Sequence, residues 1–292
     1  MCNPFVNVFN LADDNAYQRW QISRETCSHP SIEQLLVEVA DPFRLKNSEK
    51  QAILARCSRY NMAIYRLRGF SQQPKTLVSA LGRQLGLQHL DANLSADEDK
   101  ITSLQVMQQP GHQYIPYTNK ALSWHTDGYY NKPDRQINAI IMHCVSAAAE
   151  GGVNHLLDHE QVYMYLRDEN PAYIKALMHP QAMTIPANED SGRLIRAAQS
   201  GPVFSLHKPG GRLHMRFSAR KRNIIWRDDA VTIKAVKRIN ALLDDTSHSV
   251  KIALKSGQGI ICNNVLHNRS GFYDSDTHVR LMYRARYYDR IT

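Results

Sequence analysis

Apolar positions along this chain fall into two rhythms, and the change from one to the other organises the reading. Early segments repeat at helical spacing. "SIEQLLVEVA" (31–40) opens on Ser31 with a carboxylate soon after, "NSEKQAILARCSRY" (47–60) opens on Asn47, and "PKTLVSALGRQLGL" (74–87) carries the same period. Between them, "NMAIYRLRGF" (61–70) is a short apolar run closed by Gly69, which predicts a strand. "ITSLQVMQQ" (101–109) predicts another, followed by the loop "PGHQYIPYTNK" (110–120). Later segments are mostly strand-like: "QINAIIMHCVS" (136–146) reads as a long buried strand, and "SGPVFSLHKPGGRLHMRF" (200–217) as two strands around a Pro-Gly-Gly turn. "VKIALKSGQGIICNNVLHNRSGF" (250–272) and "THVRLMYRARYYDR" (277–290) continue the pattern. Helices interrupt it after "EGGVN" (150–154) and at "DAVTIKAVKRINALLDD" (229–245), the clearest amphipathic helix. No linker composition and no fixed-period repeat divides the chain, so residues 1–292 predict one α+β domain with helices flanking a mainly antiparallel sheet or sandwich. Neither alternating βαβ units nor a glycine-rich phosphate loop is visible.

Composition narrows the function classes. At 43% hydrophobic and 22% charged residues, 292 residues carry a substantial core and no disordered tract. The first twenty residues do not resemble a signal peptide, and the apolar run at 137–149 is too short to span a bilayer, so a cytoplasmic protein without membrane attachment is expected. Five scattered cysteines (Cys2, Cys27, Cys57, Cys144, Cys262) form no C-x-x-C pair, which argues against a disulfide framework or a thiolate zinc site. The net charge of +9 is partly gathered in Lys208, Arg212, Arg216, Arg220, Lys221, Arg222 and Arg227. A solvated face accounts for that cluster, as does an anionic small substrate. No DNA- or RNA-binding motif accompanies it, which speaks against a nucleic-acid partner.

Candidate chemistry is concentrated in "SWHTDGYY" (123–130). On an extended backbone His125 and Asp127 point to one side, where they would suit a metal or form a buried ion pair. The same H-x-D spacing recurs at His89 and Asp91, which follow a helical run into a polar loop and read as a surface coincidence. Two histidines and one carboxylate on one face of iron(II) leave positions for a co-substrate and oxygen. His267, at the end of an apolar strand, is the best third candidate, and a hydrogen-bonded strand-end histidine is the alternative. In 280–287, Arg280, Arg284 and Arg286 share a strand face with Met282. Such a face would grip a carboxylate, or be the solvated side of an edge strand.

"SWHTDGYY", "EGGVN", "GQGIICNNVLHNR" and "RLMYRAR" occur in an order and spacing that resemble the taurine dioxygenase family of iron(II)/2-oxoglutarate oxygenases, with which clavaminate synthase-like enzymes share the pattern. "AIYRLRGF" is similar to a strand near the start of those enzymes, so the likeness runs from about residue 60 to the end. The resemblance implies a double-stranded β-helix, or jelly roll, over about 61–292, after a helical part over about 1–60. It implies His125, Asp127 and His267 as iron ligands and Arg280 as the anchor of the far carboxylate of 2-oxoglutarate. Arg284 would face the substrate, although the variable His-to-Arg interval leaves the two arginines exchangeable. Asn154 stands where the family usually has a co-substrate-binding threonine. The implied activity is hydroxylation of a small, anionic or amino-acid-like substrate, with O2 consumed and succinate and CO2 released. Asp127 speaks for hydroxylation over halogenation, while desaturation and cyclisation by the same oxidant stay open. From proximity alone, Asn119, Trp124, Tyr129 and Tyr130 are pocket candidates, with core packing as the alternative for each. A non-catalytic metal-binding jelly roll and a basic interaction protein are the competing classes, and self-association is left open.

Overall fold

The computed structural model describes residues 8–25, 29–69, 74–92, 99–106, 115–190, 192–207 and 211–292. Cys2, Cys27, Lys208, the last three residues of the strand expected over 101–109 and the first half of the following loop lie outside those residues, as does most of the Pro-Gly-Gly turn.

Period-two patterning decides the architecture. Six strands form one sheet in the order Leu36–Val39, Met62–Leu67, Gln258–Cys262, Ala139–Ser146, Leu281–Tyr287 and Thr102–Leu104. Four form a second sheet in the order Val250–Ile252, Asn154–Leu157, Leu266–Arg269 and Leu122–His125. Every neighbouring pair in the two sheets is antiparallel except the first. Alternate residues of the larger sheet, among them Ala63, Tyr65, Ile141, Ile261 and Ala285, are buried with residues of helices Asn47–Tyr60 and Thr76–Gln84. The intervening residues Ile64, Ile140, Ile260 and Met282 meet Leu156, Val250 and Ile252 of the smaller sheet. Its outer face, through Trp124, Leu157 and Leu266, is covered by helices His159–Glu169, Pro171–Leu177 and Ala230–Asp244. Two facing sheets with helices on both outsides form the jelly-roll arrangement.

Local chemistry explains most boundaries. The carboxylate of Asp229 accepts from the backbone N–H groups of Val231 and Thr232 and starts the long amphipathic helix. Asp158 accepts from Glu160 N–H at the start of the His159–Glu169 helix. The expected helix over 31–40 is corrected. Its capping box forms between Ser31 and Gln34 but supports one turn, Ile32–Leu35. The chain then extends as Leu36–Val39, burying Val37 and Val39 on one side while Glu38 pairs with Arg66 and Arg68 on the other. Alternation with β-branched residues outweighs the capping signal here, so the segment expected to be helical over about 1–60 contributes a strand to the sheet.

Beneath the smaller sheet, His159 and His214 are almost fully buried. Burial first, and neighbouring positive charge after it, pushes each imidazole down to about 3. Burial also pushes Asp158 up to about 6. Unfolded histidines titrate near 6.5, so between there and about 3 the unfolded chain takes up two protons that the folded chain refuses. Stability is therefore lost as pH falls through that window. Asp158 opposes this between 3.8 and about 6 with one proton against two. The urea midpoint is expected to fall steadily from about pH 7 to pH 5, and a flat profile would contradict the assignment.

Candidate active site

His125 ends one strand of the smaller sheet, and His267 lies directly across from it on the next. Their ring centroids are 4.3 Å apart. Each Nδ1–H donates to a carbonyl two residues earlier: His125 to Ser123 and His267 to Val265, both at 2.9 Å. That choice of tautomer leaves each Nε2 lone pair free to act as a ligand. Burial first, then the adjacent His125, pushes His267 down to about 4, so its ring is neutral near pH 7.

Asp127 leaves the strand through Gly128, whose φ of 69° suits glycine, and a Cβ there would come within 2.4 Å of the Ile137 side chain. The Asn264 side chain locks this turn. Its Oδ1 accepts from Asp127 N–H at 2.8 Å, and its amide donates to the carbonyls of Asp127 (3.0 Å) and Ile137 (2.6 Å). Burial would raise the Asp127 carboxyl. The Arg284 guanidinium first, with the charge of Arg286 behind it, outweighs burial and holds the group well below the usual carboxylate range. Arg284 NH1 lies 3.2 Å from both carboxylate oxygens. The donor atoms of His125, Asp127 and His267 all fall within 4.8 Å of one another, the one such cluster among the described residues. Two imidazoles and an ionised carboxylate on one face fit an iron(II) site with open positions. Asn264→Ala would leave buried backbone groups unmet, at about 1–3 kcal/mol, and should also weaken iron(II) binding by roughly 10–100-fold. Thermal melts and an iron titration check both.

A cavity runs from His267 and Arg284 between the two sheets to Arg280, lined on the way by Leu104, Met142, Asn154 and Leu156. Its empty volume is about 560 Å³ with the open mouth included. The strand Leu281–Tyr287 lies between two others, so its arginine face is interior and the edge-strand alternative is excluded. Arg280 is 4% exposed, and its NH1 has no hydrogen-bond partner among the described residues. Arg269 lies near, and the two guanidiniums sit 4.8 and 5.0 Å from the Phe272 ring. Arg269 is held by the Thr118 and Lys120 carbonyls. Burial, then Arg280, pushes Arg269 down to about 10, and burial also lowers Arg280. Two buried cations, neither of them in an ion pair with a described carboxylate, create a demand for an anion at this end. Gly151 and Gly152, at φ 78° and 65°, turn the chain tightly beside Gly271 and Arg280 and deliver Asn154 to the cavity wall. The Asn154 amide donates to Gly152 O at 3.3 Å.

The remaining sequence candidates separate. Tyr129 lies edge-on to His125 with centroids 6.4 Å apart, and Tyr130 accepts from Arg286 at 2.8 Å. Trp124 points away from His125 into the helix-covered core. Asn119 is exposed and absent from the cavity wall; its carbonyl accepts from Phe272 N–H. Asp91 is buried in an ion pair with Arg286, while His89 stays on the surface against Asp289, so the reading of that pair as a surface coincidence holds for the histidine alone. Sequence reasoning passed over Arg269 and Asn264. The first is an arginine two positions after a candidate ligand on the same strand, and that spacing was the available signal.

Comparison with known proteins bears on the whole chain. The family model described as "Taurine catabolism dioxygenase TauD, TfdA family" matches residues 28–286. A uridine-5'-phosphate dioxygenase from a Streptomyces species is 28% identical over 203 residues, covering 66% of this chain and 71% of that protein. The non-heme iron oxygenase OrfP, solved with Fe and alpha-ketoglutaric acid, superposes with a TM-score of 0.61 at 15% identity, over 84% of this chain and 81% of that one. An asparagine oxygenase solved with Fe(II), 3-hydroxyasparagine and succinate gives 0.57 at 16% identity, over 96% and 90%. A taurine dioxygenase from Burkholderia xenovorans gives 0.57 at 17%, over 87% and 86%.

Proposed function

This chain belongs to the taurine catabolism dioxygenase family and is an iron(II)- and 2-oxoglutarate-dependent dioxygenase, and on that premise we propose which of its residues carry the reaction and what it acts on. His125, Asp127 and His267 hold the iron, and Arg280 holds the far carboxylate of 2-oxoglutarate. The observation that carries this reading is one cavity whose wall holds His267 of the three-ligand cluster, Arg284 against Asp127, and Arg280, whose NH1 has no hydrogen-bond partner among the described residues. When bound, iron(II) and 2-oxoglutarate together activate O2 to oxidise a substrate C–H bond, with succinate and CO2 as co-products.

The protein's own groups do the rest. Arg284 keeps Asp127 ionised and fixed, and so takes a positioning role where the sequence suggested substrate contact. Carbonyl partners hold both imidazoles with Nε2 turned toward the site. Arg269 adds a second positive charge at the co-substrate's far end, and Asn154 offers an amide along its length. Leu104, Met142 and Leu156 exclude water between the two charged ends. Ligands from the smaller sheet and the anchoring arginine from the larger one make the chain a single working domain.

The substrate is a small molecule bearing an acidic group, and the outcome is hydroxylation. The half-buried cations around Tyr129 support this, and the named relatives act on a nucleotide or hold an amino-acid product. No helix among the described residues is long and apolar enough to cross a membrane, and Cys57, Cys144 and Cys262 are free and buried. Both fit a cytoplasmic location. The test is a screen of acidic small molecules for substrate-dependent O2 uptake and succinate formation by the iron-loaded protein. A hit whose succinate is coupled to product supports the reading. Iron and 2-oxoglutarate binding without succinate from any compound, or without added substrate, would favour a ligand-binding protein that does not turn over.

A further inference from the structure

Within the basic segment 212–227, one cation is partly buried yet has no hydrogen bond or ion pair among the described residues. Arg216 is buried and donates to the carbonyls of Tyr129 (2.7 Å), Met183 (2.9 Å) and Gln199 (2.9 Å), which makes it part of the scaffold. Arg227 lies 3.6 Å from Asp229. Arg212, Lys221 and Arg222 are exposed. Arg220 is half-buried and has no hydrogen bond or ion pair among the described residues.

Its position follows from strand geometry. Residues 217–219 run antiparallel beside 124–126: Thr126 N–H donates to Phe217 O at 3.0 Å and Ala219 N–H to Trp124 O at 2.8 Å. This brackets Ser218 directly opposite His125 as a non-hydrogen-bonded pair, the arrangement that brings two side chains close on one face. Alternation then puts Arg216 and Arg220 on the same face as Ser218. Tyr129 lies edge-on to His125 with ring centroids 6.4 Å apart, and Ser218 is near enough to act on its hydroxyl. Arg220 is close enough for its charge to act on the Tyr129 hydroxyl. The other cations nearby are engaged: Arg284 with Asp127, Arg286 with Asp91 and Tyr130, and Arg196 with the carbonyls of Pro186 and Ala197.

We propose that Arg220 is the substrate-binding residue that takes the oxyanion of the substrate, with the Ser218 and Tyr129 hydroxyls beside it, on the His125 side of the His125–Asp127–His267 cluster. A guanidinium fork and two hydroxyls are the donor set for a phosphate, sulfonate or carboxylate group. This rests on the acidic-substrate reading above and assigns its anion to a residue outside the family-like motifs. It also separates two anion sites: Arg280 for the co-substrate and Arg220 for the substrate.

The test uses protein loaded anaerobically with iron(II) and 2-oxoglutarate, so that the Arg280 end is filled, and inorganic phosphate and sulfate as probes. Calorimetry on wild type, Arg220→Gln, Arg220→Lys and the exposed neighbour Lys221→Gln gives the comparison. The expected result is saturable binding to wild type, weakened roughly 10–100-fold by Arg220→Gln, the range of a charge-assisted hydrogen bond. Arg220→Lys should recover part of it, and Lys221→Gln should match wild type. The charge-transfer band of the iron(II)–2-oxoglutarate chelate, recorded on the same samples, tests the metal and co-substrate assignment separately. No saturable binding by loaded wild type, or equal binding by Arg220→Gln, would overturn the Arg220 assignment while leaving that band intact.

Discussion

His267→Ala protein is expected to fold, to bind iron(II) far more weakly than wild type, and to show no detectable 2-oxoglutarate turnover. The neutral Nε2 of His267 is one of three donors in the only cluster of its kind among the described residues, and removing it leaves a two-ligand site. Losing an outer-shell partner of a metal ligand already costs roughly 10–100-fold in affinity, so losing the ligand itself should exceed that range. The fold should survive because the ring is held by one carbonyl two residues away and carries no cross-chain hydrogen bond. Asp127→Asn should behave similarly in metal affinity, but for a further reason. Removing the carboxylate charge leaves Arg284 buried and without its anion, so a loss of stability should accompany the loss of iron. Iron titration and thermal melts on the two variants distinguish these outcomes. Wild-type iron affinity in His267→Ala would contradict the ligand assignment.

Arg280→Leu separates co-substrate from metal. Iron(II) binding should stay near wild type, because Arg280 is at the far end of the cavity from the ligands. The affinity for 2-oxoglutarate should fall by about 2–5 kcal/mol, the cost of truncating one partner of a buried charged pair, or roughly 30-fold and beyond. In the unloaded protein the substitution should be neutral or stabilising, since it removes a buried guanidinium whose NH1 has no partner among the described residues and which sits beside Arg269. A rise in melting temperature together with a collapse in 2-oxoglutarate binding is a pairing that a merely structural arginine would not give. If Arg284→Leu instead caused the selective loss of co-substrate affinity, the two arginines would exchange roles.

The juxtaposition of His125 and Asp127 was legible because strand periodicity is local: H-x-D on an extended segment presents both side chains to one side, whatever surrounds them. The arginine face of 280–286 was legible for the same reason, but its burial was not. Arg280 is covered by Gly152 and Phe272, which fold back beside it, and a single sequence does not bring those segments together. The strand Leu36–Val39 was hidden by a genuine capping box just before it, where a local signal competes with a sheet partner 28 residues further on. Asp91 was missed because its partner Arg286 lies 195 residues away and nothing in "LQHLDANL" marks the aspartate as buried. Asn264 and Ser218 act through cross-strand neighbours, which a single sequence does not pair. Proximity in sequence also misled in the other direction. Trp124 is next to His125 yet faces the opposite side, as period two requires, and Asn119 lies on an exposed loop.

The central claim is that His125, Asp127, His267 and Arg280 form one site for iron(II) and 2-oxoglutarate. Anaerobic titration of metal-free protein with both, recorded in the visible region, tests it most directly. The account predicts a saturable charge-transfer band in wild type that is absent in His267→Ala and, in Arg280→Leu, is recovered only at much higher 2-oxoglutarate. No band from folded wild-type protein, or an unchanged band in His267→Ala, would contradict it.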